Sequence, residues 1–148
     1  MTTPAELYAP FRPRWARYVA IVLAVLLVAG FFALIWGMSA VGSPMEPGDI
    51  GGVAVFALIL IWFCFRQATV RAVPSSEGLV VRNLFITTRL TWPQIIAVHL
   101  GDRPWAQLDL ADGDTLSVMG IQSADGDFAR QEARRLATLV AANEPRDR

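Results

Sequence analysis

Two stretches without a charged residue, Tyr18–Trp36 (YVAIVLAVLLVAGFFALIW) and Ile50–Phe65 (IGGVAVFALILIWFCF), leave this chain few ways to fold. A helix of about 18 or more apolar residues can cross the hydrocarbon core of a bilayer, because it satisfies its own backbone where no water can. The first stretch has 19 residues and meets that length. The second has 16, giving about 24 Å at ~1.5 Å per residue, short of the roughly 30 Å core. Arg66 is expected to snorkel and let this helix extend, or the bilayer to thin locally. Gly51 and Gly52 suit either close approach to the first helix or the turn before the second.

Arginines flank the pair. Arg12, Arg14 and Arg17 precede the first stretch, and Arg66 and Arg71 follow the second. The connection Gly37–Asp49 carries Glu46 and Asp49 and no basic residue. Short Arg-rich flanks stay on the cytoplasmic side, so both termini are expected there, in a two-span protein of the cell (inner) membrane. Trp15, Trp36 and Trp62 stand near the ends, where amphipathic rings favour the interface. A cleaved signal peptide fits poorly, because the apolar stretch exceeds an ordinary h-region and Met38-Ser39-Ala40 is a weak cleavage site.

From residue 66 on, the chain reads like an ordinary water-soluble domain of about 80 residues, enough for one small core. From Gln67 onward nine Arg stand against ten Asp plus Glu, a balance of −1. Nucleic-acid binding, which needs a basic footprint, is therefore not expected. The single cysteine, Cys64, excludes a disulfide framework or a thiolate metal site within one chain and reads as a small apolar residue of the second span.

Short apolar alternations broken by turn residues mark β-strands. Thr69–Val73 is a first strand, Pro74–Gly78 a turn, and Leu79–Arg82 a second strand. In Thr87–Trp92, Leu90 and Trp92 share a face by the period of two. Ile96, Val98 and Leu100 do so in the next strand. Trp105–Leu110 and Thr115–Met119 flank Asp112-Gly113, a tight hairpin turn. Asp127 is placed to cap a helix whose apolar side holds Phe128, Ala129, Ala133, Leu136, Ala137 and Val140. Asn143 and Pro145 end it. Six or so strands and one amphipathic helix suggest a small antiparallel barrel or sandwich, with the helix plugging one end.

No residue constellation calls for catalysis, a cofactor or a metal. His99, the only histidine, lacks a second histidine or a cysteine to share a metal and reads as a solvated residue on a sheet face. The repeated Ala-Asp-Gly-Asp at 111–114 and 124–127 departs from the EF-hand pattern and reads as a turn and a helix start. Arg130, Arg134 and Arg135 form a basic cluster on the helix, with Asp127 and Glu132 near enough to pair.

The residues Gly78-Leu79-Val80-Val81-Arg82-Asn83, then Arg89-Leu90-Thr91-Trp92 with Ile95 and Val98, then Trp105 and Leu108–Leu116 (LDLADGDTL) carry a resemblance. This part of the chain looks like a bacterial pleckstrin-homology-like (PH-like) domain. It is similar to the actinobacterial membrane-protein family that includes the low molecular weight protein antigen 6 type. The resemblance spans roughly residues 69–121, and two preceding spans agree with it. It implies no catalysis. Eukaryotic relatives of the fold bind phosphoinositides through basic residues around the first hairpin. Here that loop, Pro74–Gly78, holds Glu77 and no base, with only Arg71 and Arg82 flanking it.

The expected fold class is therefore α+β. A cytoplasmic tail (1–17) leads into a two-helix transmembrane hairpin (18–66), a PH-like domain (67–143) and a short tail (144–148). The expected role is that of a non-enzymatic membrane protein presenting a cytoplasmic interaction module to a membrane-protein partner, as an accessory subunit of a cell-envelope complex. The alternative is a sensor of anionic lipid. Arg12, Arg14, Arg17, Arg66, Arg71 and Arg82 are the candidate membrane-surface contacts.

Overall fold

A computed structural model describes residues 4–144. It comprises two compact units, residues 16–69 and residues 4–15 together with 70–144. Of the tail expected at 144–148, only Glu144 lies within the described residues.

The helical unit holds α2 (Trp15–Ala40) and α3 (Pro47–Ala68), which follow a single turn of helix, α1 (Pro4–Leu7). Both are long and apolar enough to cross a membrane, with mean hydropathy 2.9 and 2.1. The 26 and 22 residues correspond to about 39 and 33 Å, so the second helix is not short after all. It grows at both ends. Pro47 sits in the first turn, where its missing N–H is no loss. Asp49 and Arg66 lie in the first and last turns, matching the helix dipole. The Thr69 hydroxyl donates to the Arg66 carbonyl at 2.9 Å and closes the helix. Gly51 and Gly52 thus lie inside α3, and a Cβ added to either meets nothing within 4 Å. They serve neither a close helix approach nor a turn. Cys64 is buried and free.

The other unit contains two three-stranded antiparallel sheets. One is β1 (Arg71–Pro74), β2 (Gly78–Arg82) and β3 (Thr87–Thr91), in that order. The other is β4 (Ile95–His99), β5 (Trp105–Leu110) and β6 (Thr115–Gln122). The amphipathic α4 (Asp127–Ala142) follows. One core joins both sheets and the helix, through Leu79, Val81, Leu90, Trp92, Leu108, Val118, Ile121, Leu136 and Leu139 among others. The α+β class and the PH-like order of strands then helix hold.

Several local expectations shift by a residue or two. Pro93 cannot donate to a ladder, so the third strand stops at Thr91. Trp92 opens a 3-10 turn with its ring buried and its Nε1–H donating to the Ser75 carbonyl at 3.0 Å. A bulge between Ile95 and Ala97 turns Ile96 off the face it was expected to share with Val98 and Leu100. Ile95 is buried, Ile96 is exposed, and Val98 and Leu100 still pack on the core. Gly126, not Asp127, precedes the first helical residue of α4, with φ at +59°. Asp127 pairs with Arg130 instead. The buried stripe of α4 is Ala129, Ala133, Leu136, Leu139 and Val140, leaving Ala137 exposed.

The segment before α2 is part of this fold rather than a tail. Phe11 is fully buried in the core, and its N–H and carbonyl exchange hydrogen bonds with Ala72 at 2.8 and 3.0 Å. A Cβ at Gly120 would come within 2.9 Å of the Ala72 nitrogen and 3.0 Å of the Phe11 oxygen, so only glycine lets β6 cross here. Arg135 clasps the same segment. Its Nη1 donates to the carbonyls of Glu6, Leu7 and Ala9, its guanidinium lies 3.9 Å from the Phe11 ring centroid, and its Nη2 donates to Glu132 at 2.7 Å. The expected pairing of Glu132 with an arginine of the same helix is therefore met by Arg135.

Candidate partner-docking and membrane-surface sites

The strand register separates the two ends of the first sheet. Pro74 pairs with Leu79 at one end and Arg71 with Arg82 at the other. The two arginines do not flank the Pro74–Gly78 turn, as their order in sequence suggests. They sit at the far end of the hairpin, about 13 Å from it at ~3.3 Å per residue. The turn itself is structural. Ser75 and Gly78 exchange backbone and hydroxyl bonds across it. A Cβ on Gly78 would fall 1.9 Å from the Leu90 oxygen. Glu77 is its only charged residue.

The remaining arginine candidates have separate surroundings. Arg12 is exposed between buried Phe11 and Pro13. Arg14 lays its guanidinium 3.7 Å from the Phe128 ring centroid. Just there, Asp125 accepts the backbone N–H groups of Arg14 and Trp15 at 3.0 and 2.9 Å. A carboxylate at the start of a helix satisfies orphan donors and suits the dipole. Arg17 is exposed and Arg66 half-buried in the helical unit. Of the six, only Arg71 and Arg82 are set face to face by the domain.

A groove between β4 and α4 was not anticipated. Val98 and Leu100 form one wall, Ala133 and Ala137 the other, and Arg130 and Arg134 the rim, around about 280 Å³. The two arginines are one helical turn apart. Arg130 is tied to Asp127, while Arg134 is exposed and makes no ion pair among the described residues. Four apolar side chains under a basic rim can take up a few apolar side chains accompanied by a carboxylate. The bulge that turns Ile96 outward is what leaves Val98 and Leu100 on the helix side. That event is invisible in an alternation count.

His99 Nε2 and Asp109 Oδ2 lie 2.8 Å apart on the second sheet, both exposed (60% and 43%), so the histidine is a solvated sheet-face residue held by a carboxylate. Among the described residues no three His, Cys, Asp or Glu side chains gather as metal ligands do.

The model of a bacterial PH domain matches residues 69–138. Uncharacterized proteins of Mycobacterium bovis and of two Mycobacterium tuberculosis strains are each 33% identical over 139 residues, covering 90% of this chain and 89% of the relative. The chain belongs to the bacterial PH domain family. The mycobacterial relatives agree with the actinobacterial family expected from the sequence, and their match reaches well beyond the PH domain itself. No solved structure matches the chain significantly.

Proposed function

We propose that this chain is a non-enzymatic protein of the cell (inner) membrane. Its two helices anchor a PH domain, held on the cytoplasmic side, that docks a membrane-protein partner as an accessory subunit of an envelope assembly. The β4–α4 groove is the observation that carries this reading. Its apolar walls and arginine rim suit a short partner segment of apolar residues with Asp or Glu beside them. The arginine-poor loop between the helices and the arginines outside them support the orientation.

The test is crosslinking in native membranes, then purification of the full chain through a C-terminal tag. It compares the native groove with Arg134→Glu and with Ala137→Trp, which fills the groove from an exposed position. One stoichiometric partner lost in both variants is the expected result. A partner retained by both variants, or none above background, would refute docking at this groove.

A further inference from the structure

The first sheet turns one face to the core and a basic face outward. Ala72, Leu79, Val81 and Leu90 are buried in the core, and their neighbours along each strand alternate onto the other face. There the register sets Arg82 between Arg71 and Thr87, and Val80 between Val73 and Arg89. Three arginines thus surround two half-buried valines. Arg71 and Arg82 are directly opposed, where Cβ atoms lie about 5 Å apart and like charges repel. β1, β2 and β3 contain no Asp or Glu, and among the described residues none of the three arginines forms an ion pair. The face therefore calls for carboxylates that its own sheet does not supply.

The same chain carries them elsewhere. Three connections are tied together at one end of the domain. Trp92, in the link from β3 to β4, donates its Nε1–H to the Ser75 carbonyl of the β1–β2 turn at 3.0 Å. The Ala111 N–H of the β5–β6 turn donates to the Gln94 carbonyl of that link at 2.9 Å. Residues 74–78, 91–95 and 110–115 hold Glu77, Asp112 and Asp114 and no basic residue. All three carboxylates are exposed, and none forms an ion pair among the described residues. These turns are fixed at the far end of β2 from Arg82, four residues or about 13 Å away. Nine Arg against ten Asp plus Glu from Gln67 onward leave almost no net charge, so copies meet without strong overall repulsion and each presents two opposite poles.

We infer that the arginine face of the first sheet, Arg71, Arg82 and Arg89, docks the acidic turn end of a second copy of this chain, Glu77, Asp112 and Asp114. The two surfaces differ, so the contact is head-to-tail and builds a ring or an open row rather than a two-fold dimer. Exposed ion pairs are individually weak, but copies anchored in one bilayer, as proposed above, meet at high effective concentration. The contact is separate from the β4–α4 groove.

The test uses the full chain, labelled with donor or acceptor dye at a C-terminal tag and mixed at low density in vesicles of uncharged phosphatidylcholine. Energy transfer should exceed the level of random proximity and fall as salt is raised. One variant carries Arg71→Glu with Arg82→Glu, which replaces one like-charged pair by another. A second carries Glu77→Arg with Asp114→Arg. Each variant alone should associate about tenfold more weakly than the native chain. Mixed with each other, the two should recover association, because each then offers the charge that the other has lost. Arg134→Glu, at the groove, should leave transfer near the native level. Native transfer at the random level would overturn the inference and leave the arginine face to some other anion. Transfer indifferent to both double variants, a mixture that stays unassociated, or loss on Arg134→Glu alone would overturn it equally.

Discussion

The helical unit and the PH domain use the same apolar side chains in opposite ways. In α2 and α3 only 6% of each apolar window is buried. Leu58, in α3, is 64% exposed. In the domain, Leu108, Leu136 and Leu139 are fully buried. Lipid is as apolar as leucine, so helices in it gain little from burying leucine against each other. In water the same residue is driven inward and ties strands that are far apart in sequence. Composition alone therefore locates the helices, while the domain depends on which residue meets which.

That contrast can be broken in order of size. Phe11→Ala should cost the domain about 3–5 kcal/mol, as truncation of a buried aromatic does, read by thermal or denaturant unfolding of the full chain in detergent. No loss would show that the segment before α2 is not part of the core. Leu108→Ala should cost about 2–5 kcal/mol, whereas Leu58→Ala should leave domain unfolding unchanged. Equal effects would erase the distinction between the two regions. Arg135→Ala removes three carbonyl contacts and leaves the largely buried Glu132 without its partner. Loss of about 2 kcal/mol is expected, with faster proteolysis near residues 6–9. Asp125→Ala should cost about 1 kcal/mol, the usual size of a lost cap, and should expose the Arg14 and Trp15 amides to hydrogen exchange.

What could be read from the sequence follows the same division. Absence of charge revealed both helices, but their ends were hidden because Pro47, Gly48 and Asp49 look like loop residues and are instead the first turn of α3. Short apolar runs between turn residues placed all six strands, and β1, β3 and β5 bury alternate positions. Alternation failed at Ile96, which the bulge turns outward, and at Trp92, where Pro93 ends the strand. In α4 the apolar stripe was read with Ala137 in place of Leu139, because alanine is compatible with either face. Phe11 gave no signal at all, since its role comes from a single bridge to Ala72, far along the chain. Arg71 and Arg82 were visible as residues but not as a pair, because register is set by the whole hairpin. The groove stayed hidden for the same reason.

The most direct test of the docking account is site-specific photocrosslinking in native membranes, with a photoreactive residue at Ala137 in the groove and, separately, at Ser76 on the far turn. The account predicts one membrane-protein adduct from position 137, absent from position 76 and abolished by Arg134→Glu. Identical adduct patterns from the two positions, or an adduct at 137 indifferent to Arg134→Glu, would contradict it.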